Sequence, residues 1–527
     1  MREFQLLGRS AFYAENGMVA TSHPEAARIA VVVLRAGGNA VDAAVAASFA
    51  LAVAEPHMTG IGGDCFALYA PEGGPLVALN GSGRAPNAVT VERLLGLGVH
   101  TIEPRSAHAV TVPGAVDAWC RLATDYGKRP LDELIAPAID LAERGTVVQP
   151  RVAFDWAAHG DRLSSDDGAS RTFLPFGAPP APGDRHQQPL LAATLRRIAR
   201  LGRDGFYRGP VAEDMVDHLR SRGGLHSLLD FAEQRSEYVA PIHVEYKDHC
   251  VYECPPNGQG LAALMMLRIL SGLELERSNM SPGDRVHVLT EATKLVYRER
   301  DALLGEPSGM PVQADELLSE RRAARLRERI QLDAILEPGV WDEREHRDTV
   351  YLCVVDRDRN AISIISSLFD AFGSGLFAPR SGVLLQNRGG GFRVAADHPN
   401  GIAPGKRPLH TIIPGMLVRD GRAVMPFGVT GGHYQPVGHA HLLHQILDRG
   451  MDIQQAIEEP RSFLDGAVLT LEARHDPAIF EACSRKGHRV AWAPRSIGCA
   501  QAIWIDHGRG ALIGGSDPRA DGLAWGF

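Results

Sequence analysis

Residues 348–363 read D-T-V-Y-L-C-V-V-D-R-D-R-N-A-I-S, and this stretch constrains the fold more than any other. A charged run, W-D-E-R-E-H-R-D, ends at Asp348. An apolar strand pattern starts at once with Val350, Leu352, Val354 and Val355, with Tyr351 and Cys353 between them. The polar turn Asp356 to Asn360 leads into a second strand pattern, Ala361 to Ser367. Two such runs around a short polar turn predict an antiparallel pair. Thr349 therefore stands where solvated chain becomes buried strand. If the peptide bond before it were cut, one residue would carry a hydroxyl nucleophile and a free α-amine to take its proton. On residue type alone, an ordinary first strand residue is the simpler reading, because threonine favours strands.

The chain of 527 residues has room for roughly two to four domains or one large folding unit. A net charge of -8 without a strongly basic patch argues against a nucleic-acid partner. The longest apolar run, Ala43 to Ala54, is too short and alanine-rich to span a bilayer. Met1 to Asn16 contains Arg2, Glu3, Arg9 and Glu15 and no apolar core, which argues against a secretory signal. The seven scattered cysteines are expected to be reduced thiols, and the expected location is cytoplasmic. Cys250 and Cys254 form a single C-x3-C, a weak zinc pattern. His439, His441 and His444 lack an H-E-x-x-H pattern and are expected as a helix-surface cluster, so no metal and no cofactor are expected.

Along the chain, Met18 to Ala20 suits a short strand. A helix capped at Ser22 or His23, with Pro24 in its first turn, ends at Gly37-Gly38-Asn39. An alanine-rich helix from about Ala40 to Val53 is expected to be central, because small residues on every side permit close packing. The loop E-P-H-M-T-G-I-G-G-D-C-F then enters a strand. Ser106 to Trp119 reads as strand, Pro-Gly turn, helix, and Gly168 to Gln188 as a surface excursion rich in Pro and Gly. Helices are expected over Leu131 to Glu143, Leu190 to Leu201, Leu261 to Leu270, within Asp284 to Ala334, and over Val437 to Arg449. Residues Glu337 to Asp348 are the candidate linker. After Thr349, strands are expected at 350–356, 361–367, 383–386, 412–418 and 423–427. Strands in succession with helices collected in blocks predict stacked layers.

Several of these segments carry a resemblance. The run around Thr349, the loop E-P-H-M-T-G-I-G-G-D, F-G-S-G at Phe372 to Gly375, G-V-L-L-Q-N at Gly382 to Asn387, K-R-P-L at Lys406 to Leu409, and T-G-G-H at Thr430 to His433 are similar to the γ-glutamyltransferase family of N-terminal-nucleophile (Ntn) hydrolases. The resemblance runs nearly end to end and is weakest across about 145 to 200. It implies an α/β (α+β) fold, a four-layer αββα Ntn-hydrolase sandwich with two stacked antiparallel sheets. It also implies self-cleavage between Asp348 and Thr349 into a large subunit, 1–348, and a small catalytic subunit, 349–527, sharing one folding unit. A homodimer of that processed pair is a further expectation.

The same resemblance assigns Thr349 as the nucleophile, Ser367 as the hydroxyl that contacts it, and Gly431 and Gly432 as the oxyanion hole. Consecutive glycines let backbone N–H groups turn inward, although by residue type alone Gly431-Gly432 is equally a strand-to-helix turn. The substrate side departs from the family pattern. The family's amine-binding Asp is Gly391 here, its Asn beyond the nucleophile is Phe369, and its two serines after K-R-P-L are His410 and Thr411. Its carboxylate-binding Arg appears as Arg84, displaced by two places. Arg84 and Arg388 could hold a carboxylate, with surface ion pairing as the competing reading. The expected activity is hydrolysis of a small amide, oxamate-like or an acyl amide, through an acyl-Thr349 intermediate. The alternatives are a γ-glutamyltransferase or glutathione hydrolase with a rearranged clamp, and a processed homologue that binds a ligand without catalysis.

Overall fold

The computed structural model describes residues 8–273, 280–337 and 348–527. Two seven-stranded sheets form its centre, and every pairing within each is antiparallel. In the first sheet the order is Leu523–Gly526, Met18–Thr21, Asp348–Val355, Ala361–Phe369, Asp64–Ala70, Val77–Gly81 and Glu237–Val239. In the second it is Phe12–Ala14, Ala511–Ser516, Ala500–Asp506, Arg422–Val429, Gly415–Arg419, His249–Glu253 and Ile242–Tyr246.

Alternation along the strands explains why the sheets stack. On Asp348–Val355, Tyr351, Cys353 and Val355 join Phe66, Leu68, Ile365, Met416 and Ile503 in a buried cluster between the sheets. Val350, Leu352 and Val354 turn the other way, onto a helical layer that includes Ala40–Ala54. The second sheet is covered on its outer face by Gly260–Ser271, Pro282–Leu303 and Gln435–Leu443. The result is the αββα sandwich. A buried hydrogen bond of 2.8 Å between Tyr351 Oη and Ser363 Oγ spans neighbouring strands, and Ser363 Oγ reaches across to the Phe427 carbonyl at 3.3 Å.

All fifteen residues of the helix Ala40–Ala54 are buried, as its small side chains predict. An Asn39/Asp42 capping box starts it. The strand pair around Asp356–Asn360 and the strands Gly415–Arg419 and Arg422–Val429 fall where the residue pattern puts them.

Four expectations need correction. Residues Ser106 to Trp119 contain a 3₁₀ turn, Ala107–Ala109, and no strand before the helix Ala115–Tyr126. Their backbone groups bond to other loops instead, Val112 N–H to the Arg84 carbonyl and Gly114 N–H to that of Gly63. Residues 168–188 are not wholly a surface excursion. The helix Asp167–Phe173 buries Ala169 and Phe173, and Phe173 packs against Trp156, Phe372 and Phe377. The helix expected over Val437 to Arg449 ends at Leu443 and continues as a π turn, His444–Asp448. The histidines on it are not a surface cluster: His439 is fully buried, with Nδ1 2.6 Å from Glu253 Oε1. The candidate linker, Glu337 to Asp348, lies mostly outside the described residues.

Candidate active site

Thr349 is the second residue of Asp348–Val355 and is 4% exposed. Asp348 pairs with Phe369 and Val350 with Ser366, a shift in register that puts an irregularity at Thr349. Such a bulge frees a residue from the ladder and re-aims its side chain. The Thr349 hydroxyl donates to Ser367 Oγ at 3.3 Å. Ser367 Oγ also accepts the Phe369 N–H at 2.8 Å, so its position is fixed by backbone. On the opposite flank, Met18–Thr21 stops pairing at Thr21, across from Leu352. Beyond that point Thr349 has the turn at Ser22 for a neighbour rather than a ladder.

The strand Arg422–Val429 of the second sheet ends close by, and Thr430 lines one cavity with Thr349. Gly431 and Gly432 follow with φ +119° and +57°. At Gly431 a side chain would meet both a strained backbone and Gly498 Cα at 3.1 Å. The Tyr434 N–H holds the Gly431 carbonyl at 3.0 Å, which turns the Gly432 N–H of the same trans peptide the other way. Gln259 Nε2 fixes the Gly432 carbonyl at 2.9 Å, and Arg300 in turn donates to Gln259 Oε1 at 3.0 Å. The turn opens straight into the helix Gln435–Leu443, whose first N–H groups lack intrahelical acceptors. Fixed backbone donors are what stabilisation of an oxyanion requires, and this turn directly follows Thr430, which lines the cavity with Thr349.

The cavity at Thr349 holds ≈ 70 Å³ and is also lined by Ser22, Glu55, Arg151, Asp155 and Arg519. Residue spacing did not single these out. The available signal was Glu55 itself, an acid that closes an otherwise apolar run from Ala43 to Ala54. Ser22 Oγ donates to Glu55 Oε2 at 2.5 Å. Burial pushes the Glu55 carboxyl up to about 7, against the opposing pull of His57 and Ser22. Arg151 is paired with Asp155 at 2.6 Å, and Arg519 with Glu472 and Asp517.

This arrangement has counterparts among known proteins. The family model described as Gamma-glutamyltranspeptidase matches residues 26–527. The chain belongs to the gamma-glutamyltranspeptidase family. A Bacillus subtilis protein named glutathione hydrolase-like YwrD proenzyme is 37% identical over 97% of this chain and 98% of its own length. An oxamate amidohydrolase proenzyme of Klebsiella pneumoniae is 35% identical over 98% of this chain and 100% of its own. The crystal structure of a cephalosporin acylase from Bacillus halodurans superimposes with a TM-score of 0.93 at 40% identity, covering 99% of this chain and 98% of that one. Like these relatives, the gamma-glutamyltranspeptidase family member described here is an Ntn amidohydrolase by fold and kinship.

A second, smaller cleft of ≈ 40 Å³ is lined by Phe369, Gly391, Arg393, Thr411, His433 and others. Of the four residues expected to hold substrate, Thr411 lines it. The other three are placed elsewhere. Arg84 is tied to Glu306 and Glu237, each at 2.9 Å, and to the Gly405 carbonyl. Arg388 is fully enclosed, with its guanidinium 3.8 Å from the centroid of the Phe369 ring and Nη1 2.7 Å from Thr411 Oγ1. Burial pulls it down to about 9, while Asp64 and Asp370 oppose the shift. His410 is also sealed, donating from Nε2 to Asp64 Oδ2 at 3.0 Å, and burial pulls it down to about 4. Its ring is therefore neutral at pH 7 and acts as a brace.

Phe369 itself has φ +84°, a strained conformation for a bulky residue. Strain of this kind persists where neighbours over-determine it, and here the Ser367 hydroxyl and the Arg388 cation do so.

For metals, His287, Glu291 and His488 lie within 4.8 Å of one another. Their donor atoms are already engaged. His287 bridges His488 at 2.8 Å and the Gln331 carbonyl at 2.7 Å, and Lys294 Nζ stands 2.7 Å from Glu291 Oε1.

Proposed function

We propose that the chain is a self-cleaving N-terminal-threonine amidohydrolase acting on a small acyl amide whose acyl part carries no α-ammonium group. The observation that carries this reading is Phe369. Its backbone N–H holds Ser367, the partner of the Thr349 hydroxyl, and its ring, with the Arg388 cation stacked on it, stands at the position where a γ-glutamyl enzyme needs a polar group. Gly391 supplies no carboxylate to hold an amine. The relatives named oxamate amidohydrolase and cephalosporin acylase support the same substrate class.

In this mechanism the Thr349 hydroxyl first attacks the Asp348 carbonyl, and hydrolysis of the resulting ester leaves Thr349 as a new N-terminus. The α-amine, with a reference pKa of about 8, is partly neutral at pH 7 and takes the hydroxyl proton during attack on the substrate amide. Ser367 orients the hydroxyl. The Gly431 and Gly432 N–H groups stabilise the tetrahedral oxyanion. The protonated amine then passes its proton to the leaving amine, and water releases the acyl group. The fragments 1–348 and 349–527 stay together, because Asp348–Val355 and Ala361–Phe369 lie between Met18–Thr21 and Asp64–Ala70. Proenzyme naming of the relatives supports this processing.

A second reading, γ-glutamyl hydrolysis with a rearranged clamp, rests on Asp301 and Arg393, which line the same cleft as Phe369. Parallel assays with oxamate, N-acyl amides and a γ-glutamyl anilide separate the two. Turnover of the first two classes is expected, and faster turnover of the γ-glutamyl anilide would overturn the proposal.

A further inference from the structure

We propose that Glu55 is a positioning residue for the α-amino group of Thr349: in the processed enzyme its carboxylate, held by Ser22, accepts a hydrogen bond from that amine and aims its lone pair at the Thr349 hydroxyl. The inference rests on the reading of Thr349 as an N-terminal nucleophile.

Three observations converge on it. Glu55 and Thr349 line the same small cavity, and Glu55 is 5% exposed. Its Oε2 is fixed by Ser22 at 2.5 Å, which sets the plane of the carboxyl group. The strand beside Thr349 ends at Thr21, so Ser22 and the carboxyl it holds occupy the flank that a ladder would otherwise fill. An amine created by cleavage needs an acceptor to fix its rotation, because it has lost the planar peptide that held it.

Most charged groups around Glu55 are engaged with one another, and His57 is the one that pulls on its carboxyl. His57 and Asp155 face each other at 3.8 Å, and Arg151 is taken by Asp155. Arg519 is taken by Glu472 and Asp517. Asp521 accepts the Arg151 N–H. His23, adjacent to Ser22, is pulled down to about 3 by burial and is neutral. Cys499, on the facing loop, has its thiol pushed up by burial. His159 is pulled down to about 4 by burial, and Arg495 stands exposed at the cavity. Burial pushes the Glu55 carboxyl itself up to about 7, close to the reference value of about 8 for an α-amine.

A carboxylate beside the amine stabilises its ammonium form. Replacing it with an amide should therefore lower the amine's pKa. The test is Glu55→Gln in the full chain, with two readouts. The first is the pH dependence of kcat/KM. The second is the pKa of the Thr349 α-amine, followed by the ¹⁵N shift of ¹⁵N-threonine-labelled protein. The expected result is an α-amine pKa lower by about one unit, an acid limb of kcat/KM displaced by the same amount, and kcat down about tenfold with KM within twofold. Ser22→Ala, which releases Oε2 and keeps the charge, serves if Glu55→Gln does not fold, with a smaller loss of kcat expected. An unchanged amine pKa and an unchanged kcat in a cleaved, active Glu55→Gln enzyme would overturn this inference alone. A wild-type chain that is never cut before Thr349 would overturn the functional reading with it.

Discussion

Replacing Ser367 by Ala removes one oxygen that does two jobs. It accepts the Thr349 hydroxyl at 3.3 Å and the Phe369 N–H at 2.8 Å, and it is fully buried. The first bond is long and neutral, of the kind that contributes about 0.5–1.5 kcal/mol, so its loss should slow turnover about 2- to 13-fold. The second loss strands a buried backbone donor and costs about 1–3 kcal/mol of stability. Phe369, held at φ +84° partly by that bond, should relax and widen the cleft. The assay pairs single-turnover acylation with the rate of self-cleavage on denaturing gels, because both steps use the same hydroxyl. Both rates should fall by similar factors. If Ser367→Ala leaves both unchanged, the hydroxyl does not orient Thr349. A loss beyond about a thousandfold would mean that it takes part in the chemistry.

Further tests follow from other contacts. Gly391→Asp should be tolerated, since a Cβ there meets only the Leu409 carbonyl at 3.7 Å; combined with Phe369→Asn it should raise γ-glutamyl anilide hydrolysis relative to wild type. Gly431→Ala should cost about 100- to 1,000-fold in kcat, because φ +119° excludes an alanine and shifts the donor; a gel of self-cleavage and a steady-state assay check it. His439→Ala removes the 2.6 Å hydrogen-bond partner of the fully buried Glu253 carboxyl and should destabilise the protein by about 1–3 kcal/mol in denaturant unfolding. Glu55 is raised above its unfolded value, so the folded state binds the extra proton. Its contribution to stability is greatest at low pH and is lost as pH rises from about 4.5 through 7; Glu55→Gln should flatten that part of the stability profile.

The parts legible from residue order are those where local chemistry and tertiary role coincide. Ala40–Ala54 announces a buried helix because nothing in it needs water, and the strand pair around Asp356–Asn360 announces itself by alternation and a polar turn. The Gly431-Gly432 turn was legible because a positive φ leaves a glycine signature. The substrate side was not. Arg84, Arg388 and His410 look alike as candidate ligands in a string of letters, and only the fold shows that Glu237, Phe369 and Asp64 occupy them. Phe173 was hidden for a similar reason: the surrounding Pro and Gly suggested surface, while its partners, Phe372 and Phe377, lie some two hundred residues on. Glu55 and Ser22 are 33 positions apart, and no periodicity joins them.

The central claim is that Thr349 becomes a chain terminus and supplies both attacker and base. N-terminal sequencing of purified, active protein tests it directly. The expected result is two sequences in equal amounts, one from the start of the chain and one beginning T-V-Y-L-C-V-V, with a single full-length species in Thr349→Ala. Full activity in an uncut chain of 527 residues would contradict the account.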